Sequence, residues 1–350
     1  MDPTRSRVVL HIGAPKSGTT YVQNRLHRNA ASLAEHGVLI PRAGAADGPA
    51  SMAFRAALDL TGIRLGRGRD FTDGWWDRLV TATAAHDATT VISDEALVRA
   101  DDDAARRAVA DLASSGAVVE IVYTARDLAR ALVSGWLEGL KHGGTRTFAD
   151  YLAAARSGEL KATRAYDIPA VLGRWLAAVG DPTRVHLVTV PPAGGDRDLL
   201  WTRFLGVAGI DPAWTPAPAA QANDAVGLPE AQFLRMLNER LGGTGGRGGR
   251  GGRLHAAIRD VVVRDGLAAR TSARVELDPR HEGWVADRTA HWLGWVEGAG
   301  IDVVGDLADL APASVEPATW ADPDRIVPAA LDAADAALAA VRAAQAARSS

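Results

Sequence analysis

Short apolar runs that stop abruptly and hand over to helix-patterned segments constrain this chain more than any other feature. Val8-Val9-Leu10-His11-Ile12 stops at Gly13, and Val91-Ile92 stops at Ser93-Asp94-Glu95. Ala117 to Thr124 is the strongest run and leads into Ala125-Arg126-Asp127, while Val185 to Val190 ends at Pro191-Pro192. A shorter run, Val38-Leu39-Ile40, ends at Pro41. Helical spacing marks Thr19 to Leu26, Asp101 to Ser114, Leu128 to Leu140 and Leu199 to Val207. Near-continuous apolar strands, each followed by a helix, belong to a parallel sheet covered on both faces. The pattern therefore predicts an α/β fold with a central parallel sheet flanked by helices. Ligands of such sheets bind at the carboxyl ends of the strands. Gly13, Glu95 and Arg126 all fall at or just past such ends.

The rest of the chain is less patterned. Ala43 to Arg69 reads as loops around a helix, and Leu254 to Arg270 and Trp284 to Ala299 have helical periodicity. Ile301 to Gly305 reads as a late strand or a docked loop. Gly242 to Arg253 (GGTGGRGGRGGR) has no side chains for a core and reads as a flexible loop. From Ala329 onward the sequence is rich in alanine, with Leu331, Leu338 and Val341 on a weak apolar stripe. These features predict one α/β domain over 1–312, interrupted by the 242–253 loop, and an Ala-rich helical tail over 313–350.

Composition excludes several functions. A net charge of −3 gives no general field for nucleic acid or an anionic membrane, so any phosphate site must be a local arrangement. The absence of cysteine removes disulfides, thiolate metal ligands and a cysteine nucleophile, and fits a reducing compartment. No apolar run reaches the roughly 18 residues of a membrane span, and Val8 to Ile12 is too short for a signal-peptide core. The expectation is a cytoplasmic enzyme. Lysine is scarce: Lys16, Lys141 and Lys161 stand among 39 basic residues, so a lysine inside a Gly/Ser/Thr loop stands out.

That loop is Ala14-Pro15-Lys16-Ser17-Gly18, between the first strand and the helix beginning Thr19-Thr20. A strand, a glycine-bearing loop and a helix N-terminus together form an anion site, with converging backbone N–H groups and a favourable helix dipole. The spacing Gly13-x-x-x-x-Gly18-Thr19-Thr20 follows the triphosphate-binding G-x-x-x-x-G-K-[ST] pattern except at one position. Thr19 stands where lysine is expected, and Lys16 moves the positive charge to the loop crest. A tight turn with incidental polar residues is the plainer alternative.

Pro15-Lys16-Ser17-Gly18-Thr19-Thr20 resembles the 5′-phosphosulfate-binding loop of sulfotransferases that use 3′-phosphoadenosine-5′-phosphosulfate (PAPS). His11 to Gln23 is similar to bacterial, actinobacterial-type members of that superfamily. The resemblance implies a three-layer P-loop-type fold. Lys16 would contact the sulfuryl and bridging oxygens, and Ser17, Gly18, Thr19 and Thr20 would hold the 5′-phosphate. A second match follows the strongest strand. Arg126 and Ser134, eight residues apart, resemble the family's 3′-phosphate clamp, although an Arg-Asp pair at a strand end by itself reads as an ion pair or helix cap. Asn223 to Ala231, Leu234-Arg235 and Asp302 to Leu307 are also similar to bacterial members. The late Arg-Lys-Gly segment of eukaryotic relatives is missing. Arg247, Arg250 and Arg253 form either a mobile basic lid or a plain insertion.

Sulfuryl transfer to a hydroxyl or amine needs a base for the acceptor proton and no metal. Glu95 is the candidate, because related bacterial enzymes carry a similar Ser-x-Glu after a strand. Asp94, His11 and His142 are competitors, and both carboxylates also suit a helix cap near Ala96. Trp75, Trp76, Trp136, Trp175 and Trp292 read as core residues rather than base-stacking platforms. The resemblance implies transfer from PAPS to an acceptor such as a carbohydrate, lipid or natural product. Two rivals stay open: a kinase-like phosphotransferase, for which Val91 to Glu95 resembles a magnesium-binding strand end, and a nucleotide-binding module without turnover.

Overall fold

A computed structural model describes residues 6–44, 51–64, 68–192, 194–220, 226–240, 267, 272–330, 332, 333, 337 and 339. The 242–253 tract, the helical reading of 254–270 apart from Leu267, residues 223–225 and most of the alanine-rich tail lie outside them.

Six strands form one all-parallel sheet: β1 (Arg7–His11), β2 (Val38–Leu39), β3 (Thr89–Ser93), β4 (Val118–Ala125), β5 (Val185–Thr189) and β6 (Asp302–Val304). Their order is β2-β3-β1-β4-β5-β6. The helices, in chain order, are α1 (Thr19–Arg28), α2 (Ala30–Glu35), α3 (Met52–Thr61), α4 (Trp75–Ala84), α5 (Asp102–Ala113), α6 (Leu128–Lys141), α7 (Phe148–Arg156), α8 (Ile168–Val179), α9 (Arg197–Ala208), α10 (Leu228–Arg240) and α11 (Glu282–Ala299). This is a three-layer α/β arrangement, as the strand and helix patterns predicted. The chain leaves β1 toward the β2–β3 side and leaves β4 toward β5–β6. The direction of the connections therefore reverses between β1 and β4, and such sheets bind ligands at the carboxyl ends of the strands at this kind of point. Among the described residues no helix is long and apolar enough to cross a membrane.

The described chain groups into two compact units. The first, Met1–Leu128, Arg164–Ala220 and Ala286–Ala311, holds the whole sheet. Strand periodicity and register divide its side chains by face. His11 pairs with Ser93 and with Val122, Val9 with Val91 and with Glu120, and Thr124 with Val188. One face thus carries three rows. Arg7, Glu120, His186 and Asp302 form a charged row near the strand starts. Val9, Val91, Val122 and Val188 pack in the hydrophobic core with α1, α2 and α9. Ser93, His11 and Thr124 form a buried polar row at the strand ends. On the opposite face Tyr123 is fully buried and its hydroxyl donates to Ala165 O at 2.8 Å. Trp75, Trp76, Trp175 and Trp292 are buried here, as core residues.

The second unit is Ala129–Thr163, Gln221–Val285 and Pro312–Ser350. Its centre is α10, whose buried Gln232 amide donates to Arg325 O at 2.6 Å and accepts from Val327 N at 3.0 Å. Asn238 donates to Leu140 O and Gly144 O, both at 2.8 Å, and ties α10 to the end of α6. The Asp324 carboxylate accepts from Phe148 N and Ala149 N at the first turn of α7. Trp136 is buried against Phe148, so it too is a core residue. The helices α2, α4, α7, α8 and α10 were not among the elements read from the sequence.

Candidate functional site

The loop after β1 is held by its neighbour strand. Ile12 N donates to Val122 O at 2.9 Å and Ala14 N to Thr124 O at 3.1 Å, so the ladder with β4 continues past the last strand residue. Then the chain turns. Ser17 N donates to Ala14 O at 3.2 Å, and α1 begins behind Gly18. Lys16 has φ of 66°, the only non-glycine residue with positive φ among the described ones. That conformation costs about 1–2 kcal/mol for a residue with a Cβ. Strain of this kind persists where the surroundings over-determine it, as at ligand-binding turns. Here Arg126, just past β4, donates to Lys16 O at 3.0 Å and holds the crest. The Lys16 side chain is exposed.

The two glycines answer to protein atoms. A Cβ at Gly13 would lie 2.1 Å from Thr124 Oγ1 and 2.7 Å from His11 Nε2. Gly18 has φ of 86°, and a Cβ there would lie 2.4 Å from Leu200 Cδ2 on α9. Close packing from below and from the side thus leaves no room for a Cβ at either position. Helix α1 has no side-chain N-cap and no acidic residue in its first turn. Its leading N–H groups have no partner within the helix, and the dipole there favours negative charge.

The hydroxyls divide. Thr20 is exposed, while the buried Thr19 donates from Oγ1 to Glu95 Oε2 at 2.7 Å. Ser17 is fully buried, and its hydroxyl donates to Ala14 O at 2.6 Å and meets Thr124 Oγ1 at 2.7 Å. In this arrangement the Ser17 side chain supports the loop from beneath, and only its neighbours reach the surface.

The two carboxylates after β3 have different tasks. Asp94 is buried and accepts from Ala96 N at 2.9 Å, capping the 3₁₀ turn Glu95–Arg99. Burial outweighs that hydrogen bond and, with Glu95 nearby, raises its pKa to about 7. Glu95 is exposed and lies beside Thr19 at the start of α1. The cap predicted for either carboxylate therefore belongs to Asp94.

The histidine competitors are engaged elsewhere. His11 is fully buried, with Nδ1 2.7 Å from Ser93 Oγ and Nε2 3.1 Å from Thr124 Oγ1, which leaves neither nitrogen for an acceptor proton. Burial lowers its pKa to about 3, so the ring is neutral. His142, in the second unit, lies just past α6, with Nδ1 2.9 Å from Glu138 O in its last turn. Ser134 also belongs to the second unit, half-buried on α6.

The sequence missed the contribution of α9. Leu200 seats on Gly18, and Asp198 accepts from Tyr21 Oη at 2.7 Å and Arg25 at 2.6 Å, so the start of α9 is bound to α1. Nothing in the local pattern of either helix signals this, because the partners are 173 residues apart or more. Among the described residues no group of three or more His, Asp or Glu side chains is arranged to hold a metal ion. No protein-family model, curated protein or solved structure matches the chain.

Proposed function

We propose that the chain is a PAPS-dependent sulfotransferase that moves the sulfuryl group to a hydroxyl or amine of an acceptor such as a carbohydrate, lipid or natural product. The observation that carries this reading is the contact between Arg126 and the Lys16 carbonyl. It sets Arg126 beside the loop crest that carries Lys16, and the sequence resemblance links these two positive residues to the two ends of PAPS. A doubly phosphorylated adenosine needs such a pair, one at the phosphosulfate and one at the 3′-phosphate.

The reaction is an in-line displacement. The acceptor oxygen or nitrogen forms a bond to sulfur while the bond from sulfur to the bridging oxygen breaks. The electron pair leaves on the 5′-phosphate of adenosine 3′,5′-bisphosphate, and the acceptor proton passes to Glu95. Lys16 would neutralise charge growing on the bridging oxygen, and the N–H groups at the start of α1 would hold the 5′-phosphate. Glu95 stands one hydroxyl away from that helix start, through Thr19.

The same Thr19–Glu95 contact favours a second reading. A hydroxyl and a carboxylate side by side at a phosphate loop also suit a magnesium-dependent phosphotransferase. Calorimetric titration with PAPS and with ATP, each with and without Mg²⁺, separates the two. Tight, metal-independent PAPS binding with weak ATP binding supports sulfuryl transfer. Metal-dependent ATP binding with no response to PAPS refutes it. Radiolabelled sulfate transfer from PAPS to an acceptor mixture then distinguishes an enzyme from a silent binding module.

A further inference from the structure

The polar row at the strand ends has only one possible hydrogen-bond direction. A carbonyl only accepts, so the Ser17 hydroxyl donates to Ala14 O. That uses its one proton, and Thr124 must donate to Ser17 Oγ, 2.7 Å away. With its own proton used, Thr124 accepts from His11 Nε2 at 3.1 Å. The neutral ring then has Nδ1 free to accept from the Ser93 hydroxyl at 2.7 Å. Ser17, Thr124 and His11 are fully buried, and Ser93 is 9% exposed.

This chain joins two parts of the site. At one end it holds the turn of the loop, and Gly13 is shaped around its middle members. At the other end Ser93 is the last residue before Asp94 and Glu95, and Asp94 N donates to His11 O at 3.1 Å. Valines in this row would suffice for packing, as they do in the row beneath. A fully satisfied buried network instead fixes one arrangement. We propose that Ser93, His11, Thr124 and Ser17 form a positioning chain that sets the separation between loop 13–18 and Glu95. Its catalytic consequence rests on the sulfotransferase reading, but its existence does not. Burial keeps His11 neutral, so the chain retains one polarity across the working pH range.

The test uses the full chain labelled with ¹⁵N-histidine. Thr124→Val removes the hydroxyl at nearly constant shape in a strand, and Thr124→Ser keeps it. Ser17→Ala breaks the chain at the loop end and serves if Thr124→Val does not fold. In the unaltered protein His11 should carry its proton on Nε2 and resist protonation to about pH 4. Thr124→Val should shift that tautomer and speed amide exchange over 16–18 by about 10-fold or more. With PAPS, kcat should fall by about 10- to 100-fold while KM for PAPS changes by less than about 3-fold, and Thr124→Ser should restore it. A proton on Nδ1 in the unaltered protein overturns the proposal, as does Thr124→Val with unchanged loop exchange and kcat. If the unaltered protein transfers no sulfuryl group, the functional reading fails, and the histidine spectrum and loop exchange still decide the chain.

Discussion

The guanidinium of Arg126 donates to the main-chain carbonyl of Lys16 across 3.0 Å. The residue after β4 thereby braces the left-handed crest of the loop after β1. Hydrogen bonds to a charged group contribute roughly 1.5–3 kcal/mol each. Arg126→Ala is expected to weaken binding of adenosine 3′,5′-bisphosphate by about 10- to 100-fold, and binding of its 3′-dephospho analogue by less. Calorimetry with both ligands measures the difference. Equal losses would assign Arg126 to loop support alone.

Glu95→Gln keeps an acceptor for Thr19 Oγ1 and removes the proposed base. Turnover should fall by about 10²- to 10⁴-fold with PAPS affinity retained. Steady-state rates and nucleotide titration check it, and retained turnover would dismiss Glu95 as the base.

Gly18→Ala combines two costs: positive φ and a Cβ 2.4 Å from Leu200 Cδ2. A loss of about 1–3 kcal/mol is expected in urea unfolding. Adding Leu200→Ala should return the packing part and leave the backbone part, a non-additivity that a double-mutant cycle reads directly.

Asp94 gives the protein a pH-dependent stability. Its folded pKa, about 7, lies above its ordinary value of 3.8, chiefly through burial. The folded state therefore holds the proton more tightly, and stability falls as pH rises from about 4 to about 7. Asp94→Asn retains a good cap for Ala96 and cannot ionise. At pH 8 this variant should be more stable by about 1–4 kcal/mol, with little difference at pH 4. Urea unfolding at the two pH values checks it.

His186 adds a slope at higher pH. Burial pulls its pKa down, but the Glu120 and Asp302 carboxylates outweigh burial and hold it above the ordinary value. Its contribution is present below the unfolded pKa of about 6.5 and is lost as pH rises through the higher folded value. His186→Gln should flatten the loss of thermal stability as pH rises above about 6.5. An unchanged slope would show that the cluster with Arg7 does not titrate there.

Much of the fold was legible because its signals are local. Val8 to Ile12 and Ala117 to Thr124 are dense in β-branched residues, and the observed strands differ from those runs by one residue at each end. Ile301 to Gly305 did resolve as a strand, Asp302–Val304, at the sheet edge. The helix α8 was harder to read, since Gly173 interrupts it and Pro169 stands in its first turn. Lys16, Gly18 and Thr19 could be picked out because the loop pattern is contiguous, and Glu95 because a Ser-x-Glu at a strand end is a short local signal. The bond from Thr19 to Glu95 could not, since it joins residues 76 apart.

The strands and the glycine-bearing turn after the first of them follow from the amino acids alone, because propensity, periodicity and glycine placement act over a few residues. Which hydroxyls are exposed and which are buried was settled by parallel register and packing. Pairing His11 with Ser93 and placing Thr124 one step beyond Val122 gathers side chains from three strands on one face. That turns Ser17 inward, makes Asp94 the cap and leaves Glu95 at the surface. Such choices depend on neighbours remote in the chain, and only the folded sheet brings those neighbours together.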